Sequence, residues 1–227
     1  MASIENVGLV FSSPGKVARS ISDRPDWKTP LAVVVIVMIL FTLVIYPYQA
    51  AYQRQMLEKF QKDSGREMNL DQLTKPTLAK RVFGLVGIAV TTVLFALITA
   101  AILNGISMVV GKSAGFARTF SLVSYGMIVA VAGSVVKIPL IVAKKSMDVR
   151  ISLAAFFPAV RIESPTGILL NSTDIFALWG AAVMAIGFAV LAQVGIKKSI
   201  AVVGGLYVVF VLLQVGLGVL MTAATGR

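Results

Sequence analysis

The chain has 227 residues, 21 Lys and Arg against 10 Asp and Glu, and neither His nor Cys. That composition excludes disulfides, thiolate nucleophiles, Ser–His triads and ordinary His/Cys zinc sites. A net charge of +11 would suggest nucleic acid in a soluble chain, but 57% of this one is hydrophobic, its mean hydropathy is +0.88, and no aromatic-interleaved basic surface is present.

Charge placement gives the fold class. Five stretches contain no charged residue: Thr29–Gln53, Val82–Gly111, Thr119–Val136, Ile175–Ile196 and Ser199–Gly226. A helix in a soluble protein shows a charge on its outer face every turn or two. About 20 apolar residues cross a bilayer once, so each stretch is long enough to cross and none is long enough to cross twice. The expected fold is all-α: a polytopic integral membrane protein with five transmembrane helices and short interfacial helices. Its division is a leader over 1–28 and a membrane domain over 29–227, with spans near 30–52, 82–110, 118–142, 174–195 and 199–223.

Residues 1–28 lack the short apolar run and small-residue cleavage site of a signal peptide, so the first span is expected to be retained. Ser13-Pro14 reads as a helix start. Val17 and Ile21 then share one face among Lys16, Arg19 and Arg24, the pattern of a short helix lying on lipid headgroups. Trp27 stands where an interfacial anchor belongs, just ahead of the first span. That span should run on past the bilayer as a helix, with Glu58 four residues before Lys62, and stop at Gly65. Asn69 and Gln72 resemble a capping box for a second short helix limited by Pro76.

The second span contains Asn104, an expected partner in an interhelical hydrogen bond. Gly111-Lys112-Ser113-Ala114-Gly115 is a tight turn without phosphate-loop spacing, which excludes nucleotide binding of that kind. Lys137 lies about one turn inside the exit of the third span. Ile151–Val160 is uncharged between Arg150 and Arg161, but ten helical residues cover only about 15 Å, so an interfacial or re-entrant segment is expected. Asp174 opens the fourth span, where it suits the helix dipole, and Trp179 follows one turn inside. One loop joins Lys137 to Asp174, so the two should meet at the same face of the membrane and pair. Small-residue ladders at Ala96 and Ala100, and at Ala181, Ala185 and Ala189, are expected to let helices approach closely. Lys197-Lys198 forms a minimal turn into the fifth span.

Asn104, Lys137, Asp174 and Trp179 are the candidate polar or interfacial residues of the membrane region. No nucleophile stands beside a base, so no catalytic residue, cofactor-binding residue or metal ligand is expected, and no cofactor. Counting bases by face gives eight on the N-terminal side and twelve opposite, but the first span dominates orientation. An N-terminus inside is therefore the expected topology, in the inner membrane if the source is prokaryotic. Membrane lipids are the expected partners, together with other proteins or further copies of the chain through the spans, and not nucleic acid.

Several motifs converge on one family. They are Phe11-x-x-Pro14 before a Trp-Pro-bounded span; Gly111-Lys112-Ser113 leading to Phe116-x-x-Thr119-Phe120 and Tyr125-Gly126; Leu169-Leu170 before Asp174-Ile175-Phe176-x-x-Trp179 and Ala185-x-Gly187; and Lys197-Lys198-Ser199. Together they resemble the Yip (Ypt-interacting protein) domain family in a short, prokaryotic-type form. The resemblance implies five spans, a cytosolic N-terminus and a non-enzymatic role in membrane organisation or protein interaction. The long N-terminal region of the eukaryotic members is missing, and their Rab-linked role does not carry over with it. The contrasting expectation is a small transporter or lipid-handling protein, with its site near the third and fourth spans.

Overall fold

The computed structural model describes residues 2–65, 69–70, 77–161 and 164–224. Helices α1 (Ala2–Ser12) and α2 (Pro14–Asp23) form the leader. They are followed by α3 (Lys28–Ser64), α4 (Leu78–Val110) and α5 (Phe116–Lys144). After a 3₁₀ turn at Leu153–Phe156 come α6 (Pro165–Ser172), α7 (Ile175–Leu191) and α8 (Ile196–Ala224). The helices α3, α4, α5 and α8 are each long and apolar enough to cross a bilayer, and α7 is a shorter apolar helix. The architecture is that of a polytopic all-α membrane protein with about five spans. The small helix expected after Asn69 falls largely outside the described residues.

α3 shows how local sequence sets an element's end. Its 37 residues extend about 55 Å, well beyond a bilayer core of about 30 Å. It stops at Gly65, whose φ of 64° is left-handed, a conformation glycine adopts without steric cost. On the overhang, Glu58 pairs with Arg54 four residues before it at 3.2 Å.

α5 is the hub. It packs most extensively on α7 and α3, and then on α4. Every residue from Thr119 to Gly126 is buried, so no side of this half of the helix meets lipid. Ser121 and Ser124 spend their hydroxyls on carbonyls one turn back, at 2.8 Å each, and burial therefore leaves no polar group unpaired there.

The α5–α7 approach depends on glycine. A Cβ on Gly180 would lie 2.9 Å from the Gly126 carbonyl oxygen, one on Gly187 would strike Leu122, and one on Gly133 would sit 3.0 Å from Phe176. These contacts define one antiparallel register along which the helices nearly touch, the packing small residues permit in membranes. Ala96 and Ala100 are fully buried as the ladder reading expected. On α7, however, the tightest approach runs through Gly180 and Gly187 rather than along the alanine ladder. At the leader end, Lys112 donates its backbone N–H to the Ala192 carbonyl at 2.8 Å. A Cβ on Gly111 would lie 2.4 Å from that same oxygen, so the two tight turns are clasped backbone to backbone.

The leader packs on protein. Val10, Val17, Ala18 and Ile21 are all essentially buried, with α2 against α7 and α5, and α1 against α2, α5 and α3. The amphipathic helix begins at Pro14 as expected, but Ser13 makes no side-chain cap. Its apolar face is turned into the bundle, not onto headgroups. Packing won because α1, unforeseen in the sequence, folds back on α2 (Asn6 Nδ2 to Ser20 Oγ, 3.0 Å) and is tied to α5 by the Tyr125 hydroxyl, which donates to the Ser3 carbonyl at 3.3 Å.

Candidate functional site

Two helices, α6 and α7, precede α8, and the break between them holds the charged pair Lys137 and Asp174. α6 and α7 share one antiparallel register along α8. A Cβ on Gly218 would meet Ile168 of α6, the Tyr207 hydroxyl donates to the Ser172 carbonyl, and the Ser199 hydroxyl donates to the Ala185 carbonyl of α7. The two short helices are therefore stacked along α8, separated by Thr173 and Asp174. α7, at 17 residues, is about 25 Å long and lies inside the span expected over 174–195, with Asp174 at its start as expected. The preceding helix α6 was not foreseen in the sequence.

A break between two packed helices exposes amide and carbonyl groups that must find partners. Asp174 supplies several of them. Its Oδ1 accepts from the Phe176 and Ala177 amides at 2.8 and 3.3 Å, capping α7. Its backbone pairs with Ser152 in an isolated antiparallel bridge. Its Oδ2 lies 3.3 Å from Lys137 Nζ, with side chains only 27% (Lys137) and 13% (Asp174) exposed. The juxtaposition expected from the single connecting loop is thus present, and it follows from the α5–α7 glycine register extended to the end of both helices.

The loop over residues 150–161 closes the site from outside. Arg150 Nη1 donates to the carbonyls of Ala154, Phe157 and Val160 at 3.4, 2.9 and 3.0 Å, while Nε binds Asp148 at 3.0 Å. One guanidinium fork thereby folds the uncharged run into a compact turn that includes the 3₁₀ helix. Ser152 is delivered to the break, where its hydroxyl donates to Asn171 Oδ1 at 3.2 Å. Phe156 and Phe157 project outward at 79% and 50% exposure. The segment does not form a crossing helix. Arg150 was not singled out in the sequence, since a base next to a span ordinarily reads as a topology signal.

Two candidates lie away from this cluster. Trp179 is 41% exposed on α7, beside Ile175 and Leu178 in a shallow apolar depression. Asn104 does not make the expected interhelical bond through its carbonyl: Oδ1 is shut off from solvent with no hydrogen-bond partner among the described residues.

The structure also has a polar cavity that sequence reasoning missed, of about 480 Å³ between the leader and the start of α3, with Ser3, Asn6, Asp26 and Tyr125 in its lining. Trp27 at its edge packs against Phe120, with ring centroids 5.2 Å apart and planes tilted by 37°. Burial disfavours a charged Asp26, but the Ser3 and Thr29 hydroxyls and the Thr29 and Lys28 amides outweigh it and hold the carboxyl below its ordinary value. Even so, Oδ2 has no hydrogen-bond partner among the described residues.

The model of the Yip1 domain matches residues 8–218, from the leader through α8. The chain belongs to the Yip1 domain family. The match covers the break between α6 and α7 and the glycine register alike, so both lie within the family's domain. No match was found among curated proteins or among solved structures.

Proposed function

We propose that this Yip1-domain protein is a non-enzymatic membrane scaffold that organises its membrane through protein contacts made by the leader and the span surfaces, with the leader in the cytosol. One observation carries the reading. The charged pair at the break between α6 and α7 is closed on itself, since Lys137 neutralises Asp174 at 3.3 Å while the remaining carboxylate oxygen caps α7. In transporters built on broken helices, the exposed helix start receives the substrate. Here a residue of the chain occupies that place, and the pair is spent on holding the fold. The cavity facing the middle of the membrane, about 300 Å³ between α4, α7 and α8, is lined almost wholly by apolar side chains such as Phe95, Met184 and Phe210, which favours packing surfaces over a solute path.

The test is stoichiometry in native-lipid nanodiscs combined with flux in proteoliposomes. The scaffold reading expects assemblies of fixed composition, whether copies of the chain or a defined partner, that survive joint replacement of Lys137 and Asp174. A monodisperse monomer that carries solute or lipid across the bilayer, with flux abolished by Lys137→Met, would overturn it.

A further inference from the structure

We infer that the groove between α3 and α4, at the face of the membrane opposite the leader, is a binding site for an anionic phospholipid, with Arg81 as the phosphate-reading residue. This goes beyond the scaffold reading and does not depend on it. The groove encloses about 460 Å³. Its mouth is polar and basic, with Lys80, Arg81, Gln49 and Gln53, and no acidic residue lines it among the described residues. Deeper in, the lining turns apolar at Leu43, Leu85 and Ile88. That sequence of surfaces, cationic and then hydrocarbon, matches the order of a phospholipid's own parts.

Depth agrees. Arg81 is the last charged residue before the uncharged stretch that begins at Val82. Tyr46, across the groove, lies eighteen residues into α3 from Lys28, about 27 Å along the helix. Both therefore stand at the hydrocarbon boundary, where lipid phosphates are.

Arg81 is also pre-positioned. Its guanidinium carbon lies 4.7 Å from the Tyr46 ring centroid. Stacking of this kind occupies the flat face and leaves the N–H edge directed outward in the fork that fits phosphate. No carboxylate within ion-pair distance takes that edge among the described residues. Pro47 adds a neutral acceptor, because its missing N–H leaves the Leu43 carbonyl without its usual helical donor. With the Gln49 and Gln53 amides, that group suits a hydroxylated headgroup such as glycerol. An empty groove would leave a charge stacked and unneutralised at the edge of hydrocarbon. Basic pockets between spans bind anionic headgroups by the same physics.

The probe is phosphatidylglycerol, titrated against phosphatidylcholine in nanodiscs holding the full chain, and read by lipid retention in native mass spectrometry and by melting temperature. The intact protein should retain phosphatidylglycerol preferentially. Arg81→Gln should lower that preference about fivefold, the worth of one basic side chain at an anionic surface. Arg81→Lys, keeping charge but not the fork, should fall between. Lys144→Gln, a base on the same face outside the groove, should change nothing. Equal retention of both lipids, or an equal loss in Lys144→Gln and Arg81→Gln, would overturn the site. So would protection by soluble glycerol 3-phosphate equal to that by the lipid, which would assign the groove to free phosphate compounds. Should Arg81→Gln fail to fold, Tyr46→Leu removes the stacking surface and should still weaken the preference.

Discussion

Replacing Asp174 with Asn separates the two roles of this residue. Asn is nearly the same shape, and its Oδ1 can still accept from the Phe176 and Ala177 amides, so the cap survives while the charge goes. Lys137 is then stranded seven residues before the end of α5 at Lys144, about 10 Å inside that end. A Lys at the centre of a bilayer costs about 2.5–3.5 kcal/mol on insertion scales, and breaking a buried pair from one side costs about 3–5 kcal/mol. Lys137 can extend part of the way to the headgroups, so we expect a loss of about 2–3 kcal/mol. Removing both charges with Lys137→Met and Asp174→Asn leaves nothing stranded and should be milder than Asp174→Asn alone by at least about 1 kcal/mol, within the range of coupling seen for contacting residues. Asp174→Ala also loses the cap and should cost about 1 kcal/mol more than Asn. Thermal unfolding in a mild detergent compares the parent protein with Lys137→Met, Asp174→Asn, the double variant and Asp174→Ala, with each kcal/mol worth roughly 2–4 °C in a chain of this size. If the double variant shows the sum of the Lys137→Met and Asp174→Asn losses, the charges act independently and the pair has no role in closing the break between α6 and α7.

Gly180→Ala should lower stability by about 1–3 kcal/mol through overpacking, because its Cβ meets the Gly126 carbonyl, whereas Gly204→Ala, with open space around it, should change the same melting curve little. Arg150→Gln removes the fork holding three carbonyls and should raise hydrogen exchange throughout residues 151–160 while leaving α5 protected. Exchange that stays unchanged would mean the turn is held by other contacts. The Asp26 carboxyl is held below its ordinary value of 3.8, so its contribution to leader docking is fully present above that pH. Docking should weaken as the pH falls below 3.8 toward the lowered value, seen as a lengthening of a spin-label distance between the exposed Ile4 and α5, and Asp26→Asn should make that distance insensitive to pH.

The spans were legible because lipid punishes charge wherever it falls on a helix, so charge-free length alone marks a crossing. The meeting of Lys137 and Asp174 was legible for a related reason: a single short loop puts its two ends on one face, and neither charge is comfortable alone. Less visible was anything decided by close packing. Gly180 and Gly187 matter through single atoms of Leu122 and Gly126 far away in sequence, which no local pattern reveals. The break at Thr173–Asp174 looks like an ordinary helix start until α6 is seen lying along α8. The leader's apolar face was plain in Val17 and Ile21, but whether lipid or protein would cover it depended on α1, whose residues carry no strong helix signal of their own. The Asn104 side-chain oxygen is buried without a hydrogen-bond partner among the described residues, although buried polar groups generally find one.

The ion pair has a consequence for how the chain is made. Lys137 leaves the ribosome thirty-seven residues before Asp174, a delay of about 2–7 seconds at 5–20 residues per second. During that interval three spans exist and the fourth does not. The half of α5 that α7 will later cover faces lipid, and its Lys has no counter-charge. A Lys in that state is eased by extending its amine toward the headgroups, and the ion pair at 3.3 Å becomes available only once the residues from Asp174 onward have joined the bundle.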